Sequence, residues 1–499
     1  MTSVIAQEIA VRSESDSEQW CRMTTERTQD ASLQSRDGLR RGHLHAGHIA
    51  FFVIAAVAPL AGLAGAGPVV FASNGAAAPA TFLLAAALFA VFSVGYVAMS
   101  RHTTNAGGFV AYIARGLGAR VATAMAYVTI VAYFAIQIGM WAQFGVFMQN
   151  LALTRLHLDL PSALWTLASL SLATLIVARG VDLSIRVAGT LLALEVGCLL
   201  LFDVLVGAHG GAVHALSPTF APAAVFGPGL GVAFLFSVNV FFGFEATVVF
   251  SEEARDPRRS VPRAIVIAIC VIATLYAVSA FAVSVAVGTD TVQAAAATDP
   301  AGFMIQAMSG QVGGWFGDVV EILIVSSYLA SLLSFHNMFA RLLFSLGRAG
   351  VLPRYLGVIS GSQGVPRRAA VTLAVVVGSL FVAFTVAGAD PILVTFTWLL
   401  ALATVGLLLM LATVSIAIVV FFWRSPCGEN AIATRVFPSL ACVGFLTVVL
   451  LSIDNYGTLL GGQGGAARLL LILLPVAALA GVWVANKTSI RPDFTADLT

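Results

Sequence analysis

Two carboxylates in this sequence stand where a carboxylate is expensive. Glu195 lies in the run TLLALEVGCLLLF, and Glu245 lies in FSVNVFFGFEATVVF. An ionisable group at the centre of a membrane helix costs about 2.5–3.5 kcal/mol or more, so each needs a compensating role. A buried carboxyl that takes up a proton in one arrangement of a protein and releases it in another can couple that proton to a second solute. Ser327 and Ser331, in a stretch that also holds Ser326, Ser334 and His336, offer hydroxyls. These either complete an oxygen site for a cation or bond back to helix carbonyls. A proton is therefore the expected coupling ion, with Glu195 first and Glu245 second as its site. Sodium held by Glu195, Ser327 and Ser331 is the alternative. Asp203 and Glu321 lie nearer the ends of their apolar runs and read as groups that reach the interface.

The second kind of chemistry lies in broken helices. AAVAPLAGLAGAGPVVF carries Pro59, Gly62, Gly65, Gly67 and Pro68, and FSVNVFFGFEATVVF carries Gly243. Helix breakers at membrane depth free N–H and C=O groups that protein, water or a ligand must satisfy. The N-terminal end of a half-helix attracts a carboxylate, and freed carbonyls attract an ammonium group or cation. An amino acid carries both groups. Ala61, Gly62, Gly65, Ala66 and Gly67 are thus expected around the carboxylate. Phe242 and Gly243 are expected to turn carbonyls to the amine, with Phe242 or Phe244 as a lid. Asn239, Gln137 and Trp141 are candidate cavity-lining residues. The plainer alternative is that the glycines only let helices pack closely.

The elements that position these residues follow from composition. Of 499 residues, 59% are hydrophobic and 10% charged, against about 25% charged in a soluble domain. A soluble enzyme, a nucleic-acid binder and a disordered chain are excluded. Continuous apolar runs favour helices over a barrel. Twelve spans are expected near 46–72, 80–100, 120–150, 161–179, 184–207, 228–254, 262–288, 315–346, 368–389, 391–423, 433–453 and 467–486. The third, eighth and tenth exceed 30 residues and should tilt or project. With the N-terminus inside, 24 of the 26 Lys and Arg residues fall on the cytoplasmic side, leaving Arg155 and Arg468 outside. The interrupted spans, one and six, are five apart, the pattern of two five-helix repeats of inverted topology. The expected layout is a cytoplasmic tail at 1–42, a transporter core at 43–423, two further helices at 424–486 and a cytoplasmic tail at 487–499. The segment 289–314 is expected outside, with a short interfacial helix.

Four segments carry a family resemblance. GFEATVVFSEEARDPRRSVPRA (243–264) is the most specific; NAGGFVAYIARGLG (105–118), FARLLFSLGRAGVLPRYLG (339–357) and GVDLSIRVAGTLLALEVGCLLLF (180–202) accompany it. The chain resembles the amino acid–polyamine–organocation permeases of LeuT-type fold. The resemblance implies an all-α integral membrane protein of ten core helices in a 5+5 inverted repeat plus two C-terminal helices, working by alternating access. Proton-coupled relatives carry a lysine in span five, at the place that falls here on Glu195. In some exchangers a glutamate just after the break in span six responds to protons, and that place falls on Glu245. The first helix departs from the family's Gly-Ser-Gly type of break: here it reads Ala58-Pro59-Leu60-Ala61-Gly62. The expected function is uptake of an amino acid or related amine by proton-coupled symport. The alternatives are an amino-acid/polyamine exchanger or a non-transporting sensor on the same fold. No nucleophile motif or metal cluster suggests an enzyme. No cofactor, metal or nucleic acid is expected. The expected partners are a small-molecule substrate and the lipid bilayer, in a monomer or dimer in a bacterial inner membrane with both termini cytoplasmic.

Overall fold

A computed structural model describes residues 45–103, 107–179, 181–244, 246–300, 302–359, 365–459 and 466–487. Among these the chain is helical throughout, with no strand. Glu245 and nearly all of both tails lie outside the described residues.

Ten helical stretches are long and apolar enough to cross a membrane. The first, Ala46–Ser100, holds two crossings joined by a short turn at Gly75–Ala77. The interrupted span six, Leu230–Asn239 followed by Ala246–Val249, adds the crossing too short to stand among the ten. The sequence's twelve runs are all accounted for. Span three (Ala119–Leu156), span eight (Gly314–Arg348) and span ten (Pro391–Arg424) are the long ones, as expected, at 38, 35 and 34 residues. The loop after span two contains a buried helix, Phe109–Leu117, that the sequence reading left as loop. Gly116 lets it lie on span ten, because a Cβ there would sit 2.1 Å from the Ala417 carbonyl oxygen. The segment 289–314 forms two short helices, Val292–Thr298 and Phe303–Val312.

Span five (Val181–His209) and span seven (Pro257–Val287) flank the break in span one, and span eight closes the third side. The half-helices pair in kind. Pro59–Asn74 packs on Leu230–Asn239, and Ala46–Val57 packs on Ala246–Val249. Glu321, expected at an interface, lies 2.9 Å from the Arg155 guanidinium, and Asp318 lies 2.5 Å from the same group.

Candidate functional site

Span one breaks at Ala58-Pro59, the first dipeptide of the glycine-rich run, and not at the glycines. Proline has no N–H to donate to the carbonyl four residues back, and it pushes the preceding residue out of the α region. Ala58 takes up a left-handed conformation at φ 49° and ψ 74°. A non-glycine residue is rarely found there, and such strain clusters at functional sites. Pro59 then starts a new helix with its φ already set.

Two hydroxyls on span eight satisfy the two sides of this break. Ser331 Oγ donates to the Ala56 carbonyl at 2.6 Å, and Ser327 Oγ accepts from the Ala61 N–H at 3.2 Å. The Tyr276 hydroxyl of span seven donates to the Val57 carbonyl at 3.4 Å. Gly62 admits that ring, because a Cβ there would lie 2.1 Å from the Tyr276 oxygen. The Gly62 N–H itself bonds to the Ala58 carbonyl at 2.7 Å. The half-helix therefore presents Leu60 and Ala61 as its leading donors, while the glycines are helical residues that allow close approach.

Glu195 lies at this N-terminus. It is fully buried, with the Ser327 hydroxyl and the Leu60 N–H beside its carboxylate. Neither carboxylate oxygen has a well-aligned hydrogen bond. Ser327 uses its oxygen to accept from Ala61, so its own proton remains to donate. Spans one, five and eight thus set Glu195 and Ser327 on the Pro59 side of the break, with Ser331 on the Ala56 side.

Span six unwinds from Val240 to Phe244, with Gly243 at φ 110°. A side chain there would be strained, and its Cβ would lie 3.2 Å from the Ala56 Cβ. Between the two breaks is a cavity of about 180 Å³. Ala61, Gly62, Gly65, Ala66, Asn239 and Phe242, all expected at the site, line it. Gly67, Gly243, Phe244, Gln137 and Trp141 do not. Gly67 faces the Leu63 side chain, and Phe244 packs among Phe89, Phe92, Tyr96 and Phe109. The Trp141 indole donates to Gln137 Oε1 at 2.9 Å, so these two satisfy each other in part away from the cavity.

The sequence reading missed Gln143, Met140, Tyr328 and Phe396, which also line the cavity. Gln143 lies six residues beyond Gln137 on the same span, and only the helix's rotation chooses between them. Phe396 ends a π-helical turn, Pro391–Phe396, that opens span ten. Such turns recur at functional sites. Gln143 Oε1 and both amide atoms of Asn239 are buried with no hydrogen-bond partner, so the wall offers polar groups that await one.

The family model for amino acid permeases matches residues 48–466. The chain belongs to the amino acid permease family. It is a multi-pass membrane protein of a transporter family, not an enzyme. Among relatives, an uncharacterised transporter of Mycobacterium tuberculosis is 32% identical over 149 residues, 30% of this chain and 33% of its own. The chain thus matches a third of that relative's length. The branched-chain amino acid permease BcaP of Lactococcus lactis subsp. cremoris is 26% identical over 325 residues, 60% of this chain and 68% of its own. The probable agmatine/putrescine antiporter AguD of Lactococcus lactis subsp. lactis is 25% identical over 131 residues, 26% of this chain and 28% of its own.

At the other end of the permease's broken helices is a buried ion pair. Arg341 of span eight and Glu253, just after span six, are 0% and 1% exposed. The guanidinium Nε donates to Glu253 Oε1, and Nη2 donates to Oε2 at 3.3 Å. Nη1 donates to the Asn337 carbonyl at 3.2 Å and to its side-chain oxygen. The Phe250 ring lies 4.9 Å from the guanidinium carbon and stacks on Phe52 of span one at 4.7 Å. One arginine therefore ties together span eight, the chain leaving span six and the first half of span one.

Proposed function

We propose that the chain is a secondary transporter for a neutral amino acid with an apolar side chain, moved with a proton by alternating access. The observation that carries this reading is the buried Glu195 carboxylate at the start of the Pro59–Asn74 half-helix, beside Leu60 and next to the cavity-lining Ala61 and Gly62. A charge there is stabilised only while the half-helix dipole and the Ser327 hydroxyl face it. Any rearrangement of span one against spans five and eight changes that solvation, so proton binding and helix position are linked.

The substrate's carboxylate would take the positive end of the same half-helix near Ala61 and Gly62. Its ammonium group would face the unwound segment at Val240 and Phe242, with Asn239 beside it. Ile136, Met140, Phe236, Phe396 and Leu400 supply an apolar wall for the side chain. Among the described residues no charged side chain lines the cavity. A diamine would place its second cation against that wall with no counter-charge, at the full cost of desolvation. The cavity's size and chemistry suit a branched aliphatic side chain, as the name of the Lactococcus cremoris relative says of that protein. The two-repeat, LeuT-type arrangement is supported by the matched breaks in spans one and six. The positive-inside arginine pattern supports a bacterial inner-membrane location with cytoplasmic termini. An exchanger on the same scaffold is the second reading, with Glu245 as its proton-responsive acid.

The test is uptake of radiolabelled L-leucine into proteoliposomes. The expected result is accumulation driven by an inward proton gradient without sodium. Glu195→Gln should lose accumulation but keep exchange of internal for external leucine. Accumulation by Glu195→Gln with wild-type pH dependence would refute Glu195 as the coupling site. A sodium requirement at constant pH would refute proton coupling altogether.

A further inference from the structure

Asp203 has no part in the site above, yet its place in the fold is informative. It lies eight residues beyond Glu195 on span five, about 12 Å along the axis, toward the end that carries residues 289–314. The sequence reading put it at the interface. Instead it turns toward span seven, where its Oδ2 accepts from Ser279 Oγ at 2.9 Å. Its Oδ1 is buried with no partner. Ser279 is fully buried. One turn earlier on span seven, the buried Tyr276 reaches the break in span one, its hydroxyl against Val57 and Gly62 on the turn whose Leu60 N–H lies beside Glu195. The two acids of span five therefore stand at the two ends of a Ser–Tyr face of span seven. Further out, the exposed His209 ends span five, six residues beyond Asp203.

The elements packed on span five bring little other charge. Span seven brings Tyr276 and Ser279, with Arg258, Arg259 and Arg263 at its opposite end. Helix Phe303–Val312 has no titratable residue. Span eight brings Tyr328, its Asp318 and Glu321 are bound to Arg155, and its His336, Arg341 and Arg348 lie beyond the break toward the opposite end, Arg341 paired with Glu253. Span one has only His48, and span four only Arg179, both at the opposite end. A half-buried acid with one buried, unpartnered oxygen and a hydroxyl neighbour, and no cation beside it among the described residues, is not built as an ion pair.

We propose that Asp203 is a proton-relay residue, taking protons from the 289–314 side and passing them along Ser279 and Tyr276 to Glu195. The idea rests on the reading of Glu195 as the coupling site. In each passage an external proton binds the Asp203 carboxylate. Each hydroxyl accepts a proton on oxygen as it gives up its own, and a water admitted between Ser279 and Tyr276 must do the same across the one-turn gap. The net change is one proton lost by Asp203 and one gained by Glu195. Asp203 returns to the carboxylate.

The test uses the full chain in proteoliposomes, with L-leucine as probe, fixed internal pH and varied external pH. A lost relay slows proton delivery, and a higher external proton concentration compensates. Asp203→Asn should therefore lower gradient-driven uptake at least tenfold at neutral external pH and recover toward wild type as that side is acidified. Leucine exchange should persist, and Asp203→Glu should restore the profile. Glu195→Gln should not recover at any pH. If Glu195→Gln loses coupling while Asp203→Asn keeps the wild-type pH profile, the relay is refuted and the Glu195 reading stands. If Asp203→Asn loses exchange as well and Asp203→Glu does not restore it, Asp203 is structural and the relay is refuted. If Glu195→Gln keeps coupled uptake, the underlying reading fails and the relay with it.

Discussion

The Arg341–Glu253 pair offers a perturbation whose size can be worked from the structure. Arg341→Met removes the cation from a carboxylate that is 1% exposed and leaves the aliphatic volume largely filled. Breaking a buried pair from one side costs about 3–5 kcal/mol, because a charge stays behind in a low dielectric. Replacing both partners with apolar residues of similar volume is often neutral or stabilising. The double variant Arg341→Met/Glu253→Met should therefore melt close to wild type, well above Arg341→Met, in a thermal-unfolding assay of detergent-purified protein. The same pair ties span eight through Phe250 to Phe52 in the first half of span one. Both variants should loosen that half-helix, so a cysteine introduced at the buried Ala50, which leaves the Phe52–Phe250 stack intact, should label faster in each than in the otherwise wild-type chain. The stability order and the labelling thus separate two roles: the single variant loses both stability and closure, and the double loses closure alone. If the double variant is no more stable than Arg341→Met, the penalty is not the stranded carboxylate. If labelling at position 50 is unchanged in both, the clamp does not hold span one.

Four further outcomes are expected. Gly243→Val, at φ 110° and with its Cβ 3.2 Å from the Ala56 Cβ, should abolish leucine binding while the protein stays monodisperse; normal affinity would make Gly243 a packing residue only. Gly62→Ala drives a methyl to 2.1 Å from the Tyr276 oxygen, an overpacking of about 1–3 kcal/mol, and Tyr276→Phe should relieve part of it; no thermal shift in Gly62→Ala would refute the contact. A cysteine at Thr298 should react with an impermeant maleimide on intact cells and one at Ser260 should not, and the reverse would overturn the orientation. Burial holds the His102 imidazole below its ordinary value of 6.5, against the opposing pull of Glu429. The stability from its neutral ring is then complete above about pH 6.5 and lost as pH falls toward the lowered value. His102→Gln should flatten that loss of melting temperature, and an unchanged slope would remove His102 as its source.

Sequence alone determined the class and the spans, and it marked acids that stand inside them. Hydrocarbon requires continuous apolar runs of known length, and each charge inside them carries an energetic cost visible residue by residue. Pro59 and Gly243 marked the breaks for the same reason, since backbone chemistry is local. Sequence could not tell that the first break falls at Ala58 while the glycines stay helical. That depends on what Ser327, Ser331 and Tyr276 bring from spans seven and eight to satisfy the freed groups. Nor could it tell Gln143 from Gln137, or set Asp203 against Ser279. Those choices rest on helix rotation, and a run apolar on nearly every face records no rotation. The Arg341–Glu253 pair spans 88 positions, and only the packing of three spans reveals that it is buried and shared. Period and composition fix what lies in the membrane; the fold decides which polar group meets which, because those meetings join residues the chain holds far apart.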